Sequence, residues 1–224
     1  GDLLRKSGRT EEALIAYGRA FELDPTDAAI PVKSGNLRNE TRDYAAAVWD
    51  YEAAAAARPD WYLPDLNRGN ALTAQGNLDG AARAYDRALE KGGPAGIRLR
   101  RDLRLPIIPE GAGPYAAEYE RYRAALGILE ADPPTLGNPL TETPGSRFYL
   151  AYHGMDDKPM QEAVARFYQG ACPSLSFVAP HCRTAMPVNI ERPIRLGFIS
   201  RYFRDHAIGW TFGRALAAYP KDRF

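Results

Sequence analysis

The sequence predicts a mostly α-helical chain in three parts: a superhelix of stacked helix pairs over residues 1–93, a helical bridge over 94–193, and the opening βα unit of a doubly wound α/β lobe over 194–224. Three observations predict it. Small and aromatic residues recur every 34 positions through the first part. The recurrence stops at Gly92-Gly93-Pro94, after which prolines become frequent. Near the end, a short apolar run from Ile194 to Ser200 leads through a polar loop, Arg201 to His206, into a helix from about Ile208 to Ala218.

The recurrence is carried by four columns. Gly1, Gly35 and Gly69 align, as do Ala13, Ala47 and Ala81, then Tyr17, Tyr51 and Tyr85, then Ala20, Ala54 and Ala88. Pro25 and Pro59 continue the pattern, Gly93-Pro94 replaces the third proline, and Gly8 and Gly76 bracket an Arg42 that breaks its column. Glycine and alanine suit positions where two helix backbones approach closely, the tyrosine fills the gap between neighbouring repeats, and proline stops the second helix. The predicted pairs are Gly1 to Lys6 with Glu11 to Leu23, Ala28 to Glu40 with Tyr44 to Ala57, and Leu63 to Gln75 with Leu78 to Lys91. This unit resembles the tetratricopeptide repeat, which cannot bury its apolar face alone and therefore stacks, with about three repeats needed for stability.

That resemblance implies that the first helix of each pair lines the concave side of the superhelix. Asp2, Asn36 and Asn70 share one column there, and Asn67 lies one turn before Asn70 on the same face. A carboxamide offers both donor and acceptor, which suits gripping an extended polypeptide without reading its sequence. Asn36, Asn67 and Asn70 are therefore the candidate acceptor-binding residues; the competing reading leaves them as solvated helix positions.

Composition narrows the function classes. With 45% hydrophobic residues in 224 the chain can build ordinary cores. Its 29 Lys and Arg against 28 Asp and Glu give +1, which argues against a nucleic-acid surface or an acidic-lipid binder. No apolar run is long enough to span a bilayer. Cys172 and Cys182 make no disulfide framework and no signal peptide precedes Gly1, so a cytoplasmic location is expected. A helix already under way at Gly1 suggests a piece of a longer chain, with further repeats upstream.

In the bridge, Ile97 to Leu105 carries Arg98, Arg100, Arg101 and Arg104, expected to be solvated or paired with nearby Glu. Tyr115 to Ala131 and Pro159 to Ala171 read as amphipathic packing helices, Phe148 to Gly154 as a β-leaning apolar segment, and Asp156-Asp157 as a helix cap. Cys172, His181 and Cys182, with His153, have ligand chemistry for zinc but poor spacing, so the thiols read as small hydrophobes and no metal is expected.

The final segment, Arg195-Leu196-Gly197-Phe198-Ile199-Ser200-Arg201-Tyr202-Phe203-Arg204-Asp205-His206, follows the repeats and the bridge in an order that resembles the O-linked N-acetylglucosamine transferase and SPINDLY-like glycosyltransferases, most of all bacterial ones. Phe148 to Gly154, Ala171 to Leu175 and Ala179 to Cys182 also look like the bridge of those proteins. The resemblance implies two Rossmann-like lobes of which this chain holds only the start, a nucleotide-sugar donor (a UDP-sugar, N-acetylglucosamine first), and a Ser or Thr acceptor polypeptide delivered by the repeats. It also implies a cleft position for His206, suited to proton relay or positioning. The alternative for His206 is a cap on the following helix. Ala207-Ile208-Gly209-Trp210 replaces the proline and second histidine of the animal enzymes, and the donor-binding residues belong to a second lobe. The rival reading of the whole is a repeat scaffold that binds partner proteins without catalysis.

Overall fold

The computed structural model describes residues 1–106, 114–143, 147–183 and 197–218, and forms two compact units, 1–177 and 178–224. In the first unit, six helices form three antiparallel pairs: α1 (Asp2–Lys6) with α2 (Thr10–Leu23), α3 (Ala29–Glu40) with α4 (Tyr44–Ala57), and α5 (Tyr62–Ala74) with α6 (Leu78–Glu90). Each pair stacks on the next through α2 against α3 and α4 against α5. The short helix α7 (Ile97–Asp102) then packs on α6. Pro25 and Pro59 stand just beyond the ends of α2 and α4, where the chain no longer needs their missing N–H.

The same turn joins the helices of every pair. Its N–H bond reaches five residues back, Arg9 to the Leu4 carbonyl at 2.9 Å, Asp43 to Arg38 at 2.8 Å and Asn77 to Leu72 at 2.9 Å. The preceding residue must be left-handed, with φ of 76° at Gly8, 64° at Arg42 and 83° at Gly76. Glycine is at home there, whereas Arg42 carries a Cβ that crowds its own backbone. Arg42→Gly is therefore expected to raise the unfolding free energy by about 1 kcal/mol, read from urea unfolding followed by circular dichroism.

The columns pack as their sizes require. Ala13, Ala47, Ala81, Ala54 and Ala88 are fully buried. A Cβ at Gly35 would stand 2.7 Å from Tyr51 Cε1, and one at Gly69 would stand 2.4 Å from Tyr85 Cε1, so only glycine lets each tyrosine ring lie on its partner helix. The rings also reach the next layer: Tyr17 clusters with Leu37, Tyr51 with Ala71 and Tyr85 with Ile97. Between α5 and α6, Asp65 is 1% exposed and holds Arg87 Nε at 3.0 Å and Lys91 Nζ at 2.6 Å.

The rest of this unit builds a second core. Leu99 and Leu103, Tyr122, Leu126 and Leu129 of α8 (Pro114–Ala131), and Met160, Val164 and Phe167 of α10 (Lys158–Ala171) come together there. Between these helices lies the short α9 (Pro139–Glu142), capped by the Asn138 side chain on the Leu140 N–H. Two of the three arginines of α7 pair with aspartates rather than the expected glutamates: Arg98 with Asp132 at 3.0 Å, and Arg101 with Asp86 at 2.8 Å and Asp102 at 2.6 Å.

Two expectations of strand are corrected. The segment expected to be β-leaning, Phe148 to Gly154, is a 3₁₀ helix from Arg147–His153. It turns Leu150 fully into the core against α8. The opening βα unit is not present among the described residues, which contain no strand. Gly197 to Ser200 run as coil, while Ile194 to Leu196 lie outside the described residues. A parallel strand needs a neighbour to take its N–H and C=O groups, and Ile199 is instead fully exposed. The expected helix does form, as α11 (Ala207–Ala217). No described helix is long and apolar enough to cross a membrane.

Candidate functional site

One face of the first unit carries a polar ladder whose rungs repeat with the helices. At the column shared by Asp2, Asn36 and Asn70, the tyrosine fifteen residues on donates its hydroxyl to the side-chain oxygen: Tyr17 to Asp2 at 2.7 Å, Tyr51 to Asn36 at 2.9 Å and Tyr85 to Asn70 at 3.0 Å. A second donor arrives from the first helix of the following layer. Lys33 Nζ reaches Asp2 Oδ2 at 2.8 Å, Asn67 Nδ2 reaches Asn36 Oδ1 at 3.2 Å, and Arg100 Nη1 reaches Asn70 Oδ1 at 3.0 Å. Each rung thus ties a helix pair internally through tyrosine and to its neighbour through a cation or an amide.

The geometry sorts the roles of the predicted residues. Asn67 is a strut from α5 to α3, so its amide nitrogen is already directed within the scaffold. Asn36 and Asn70 each spend one oxygen on two donors, while their Nδ2 groups donate to no acceptor among the described residues. An amide with a saturated oxygen and an unspent nitrogen, fixed in orientation, is a donor aimed at whatever covers the face. Sequence reasoning placed Asn36 and Asn70 in one column but missed Lys33 and Arg100. The signal for Lys33 was the same period, since Lys33 and Asn67 are also 34 apart.

Charge on the ladder is set by these contacts. Lys33 and Tyr17 hold the Asp2 carboxyl down at about 2, so it accepts as a carboxylate. Burial, then Asp2 itself, push Tyr17 up to about 12, and burial raises Tyr51 and Tyr85 as well, which keeps all three hydroxyls protonated donors near neutrality. Burial also pulls Arg100 below its ordinary value. Its Nε and Nη2 donate to the carbonyls of Glu142 at 3.1 Å and Thr141 at 3.2 Å, which docks α9 at this end of the ladder.

Comparison with known proteins falls on the repeats. A family model described as tetratricopeptide repeat matches residues 1–27. The 34-residue helix pairs, the glycine-on-tyrosine contacts and the left-handed turns repeat that unit twice more. The stacked helix pairs of residues 1–90 are tetratricopeptide-like. The chain is similar to RNA polymerase II-associated protein 3 of Xenopus laevis, 33% identical over 85 residues, which is 38% of this chain and 13% of that protein. The protein of the same name from Xenopus tropicalis is 32% identical over 85 residues, again 38% and 13%. The chain therefore matches a small part of these relatives' length.

In the second unit, His206 is the N-cap of α11. Its Nδ1 accepts the Ile208 N–H at 3.2 Å, which places the proton of the neutral ring on Nε2, and the ring stacks on Tyr202 at 4.5 Å. Among the described residues no hydrogen bond joins Ser200 or Arg204 to His206. Ser200 Oγ instead accepts the Tyr202 N–H at 3.1 Å. A Cβ at Gly209 would stand 2.2 Å from the Arg204 carbonyl, so glycine there is demanded by how closely the loop folds over the helix start. The shallow cavity beside this loop, about 530 Å³, is lined by Phe203, Arg204, Asp205, Trp210 and neighbours but not by His206. Of the zinc candidates, Cys172 is buried in the first unit with Sγ 3.1 Å from Ser174 Oγ, and Cys182 is exposed in the second; the side chain of His153 lies outside the described residues.

Proposed function

We propose that this protein binds other proteins through its tetratricopeptide repeats, holding an extended polypeptide along the ladder face. The observation that carries the reading is the pair of oriented, unspent amide donors at Asn36 and Asn70, spaced by one repeat and locked by tyrosine hydroxyls. Donors at a fixed spacing match backbone carbonyls, which every polypeptide has, so such a face grips a strand with little regard for its side chains. Replacing Asn36, Asn67 and Asn70 together by alanine is expected to weaken binding of an unstructured polypeptide at least about tenfold, measured by fluorescence anisotropy, with helicity retained. Unchanged affinity would reject the reading.

A second reading extends the first and is favoured by the segment from Arg195 to His206. In a longer chain the repeats deliver an acceptor polypeptide to a glycosyltransferase that uses a nucleotide-sugar such as a UDP-sugar, with His206 in the cleft. With Nδ1 committed to the Ile208 N–H, His206 has Nε2 left to meet a substrate, which suits a positioning role. The test is transfer of labelled sugar from UDP-N-acetylglucosamine by the longer protein and its His206→Ala variant; undiminished transfer by that variant would remove His206 from the mechanism.

A further inference from the structure

The chain presents its own backbone to the last rung of the ladder. Arg100 keeps Nη1 on the Asn70 oxygen at 3.0 Å and turns Nε and Nη2 to the carbonyls of Glu142 at 3.1 Å and Thr141 at 3.2 Å. These carbonyls close α9, and the last carbonyls of a helix lack a partner within it. A backbone carbonyl on a ladder donor is the contact that the polypeptide-binding reading assigns to a ligand, so α9 sits where a ligand continuing beyond Asn70 would sit. Little holds it there. None of its four residues is buried, and Leu140 is 84% exposed. The residues that flank it are anchored: Leu136 is buried and gives its N–H to the Ala171 carbonyl at 2.8 Å, and Thr143 is buried and takes the Tyr168 hydroxyl at 3.0 Å. Within the segment, the Glu142 carboxylate braces the N–H groups of Gly137 at 2.9 Å and Asn138 at 2.8 Å. A short exposed segment between two buried anchors opens locally at far less cost than the fold to which it is tied. Gly96, buried at the N-cap of α7, is its seat: a Cβ there would stand 2.8 Å from the Glu142 Cβ and 3.1 Å from its carbonyl oxygen. With φ at −59° the Gly96 backbone would accept any residue, so the docking of α9 is what asks for glycine.

We propose that α9 is a strap that occupies the end of the ladder in the free protein and gives way when a polypeptide lies across all the rungs, the polypeptide then taking Nε and Nη2 of Arg100 with its own carbonyls. The proposal rests on the polypeptide-binding reading above and adds to it a closed state that the ligand must displace. Exchanging one carbonyl for another keeps Arg100 satisfied, so opening leaves no half-buried donor unmet. Closure lowers the apparent affinity in proportion to the fraction of molecules that are open, and a change that loosens α9 without touching the ladder raises it.

The test uses the full chain and an unstructured peptide of Gly, Ser, Asn and Gln with both termini blocked, so that no charge on the peptide contributes. Gly96→Ala pushes Glu142 off its seat, and Glu142→Ala removes the brace while leaving the carbonyl that Arg100 holds. Each is expected to tighten peptide binding about tenfold, read by isothermal titration calorimetry. In the unaltered protein, saturating peptide is expected to speed hydrogen exchange at the amides of Thr141, Glu142 and Thr143, which bond back to Asn138 and Pro139. Peptide binding with those amides unchanged or slowed overturns the strap, and so does unchanged affinity in both variants. Binding by none of the three proteins overturns the ladder reading itself, and the strap with it.

Discussion

Asp65→Ala is expected to lower the unfolding free energy by about 3 kcal/mol. Asp65 is 1% exposed and sits between Arg87 on α6 and Lys91 at the C-terminal cap of that helix, so the three side chains clamp the last repeat. Removing the carboxylate leaves two partly buried cations facing each other, and that repulsion and desolvation, more than the lost attraction, set the cost. The attribution can be separated from cavity formation. Asp65→Leu combined with Arg87→Leu and Lys91→Met, which replaces the whole cluster with apolar side chains, is expected to recover most of the loss. Urea midpoints followed by circular dichroism at 222 nm measure both variants, and a triple variant no better than Asp65→Ala would show that the charges were not the cause.

Tyr51→Ala is expected to cost about 3–5 kcal/mol, because the ring is 2% exposed and fills the space between Gly35 on its own repeat and Ala71 on the next. Tyr51→Phe keeps that packing and loses only the hydroxyl bond to Asn36, so about 1 kcal/mol is expected. Thermal unfolding of the two variants separates ring from hydroxyl. The phenylalanine variant also frees the Asn36 oxygen from one of its two donors, and a loss of polypeptide affinity at little cost in stability would show that amide orientation matters to binding. Equal destabilisation by both substitutions would contradict the packing account.

The repeats were legible because their physics is local and periodic. A glycine must face a tyrosine ring, a left-handed residue must close each turn and a proline must follow the second helix, so the columns mark the helices to within about a residue. The ladder was half legible. Asn36 and Asn70 stand in one column, but their second donors are a lysine, an asparagine and an arginine, and Arg100 falls one position short of the period because the third repeat ends on Gly92-Gly93-Pro94. Chemistry that changes from rung to rung hides from a search for identical residues.

The strands failed for the opposite reason. Phe148 to Tyr152 and Gly197 to Ser200 have the apolar, aromatic composition of strands, yet a strand exists only with a neighbour, and composition says nothing of one. The first run found its burial by coiling Leu150 into the bridge core; the second, as described, stays coil. For His206 the two sequence readings, cleft residue and helix cap, were both available, and the geometry realises the cap through Nδ1 while leaving Nε2 free to act.

We propose that an extended polypeptide lies across the first helices and is held by the amides of Asn36 and Asn70. Side-chain amide resonances report on it directly. On titrating ¹⁵N-labelled protein with an unstructured peptide, the Nδ2 signals of Asn36 and Asn70 are expected to shift together and saturate at one affinity, along with backbone amides of α3 and α5. Shifts confined to the outer surfaces of α4 and α6, with both side-chain amides unmoved at saturation, would contradict it.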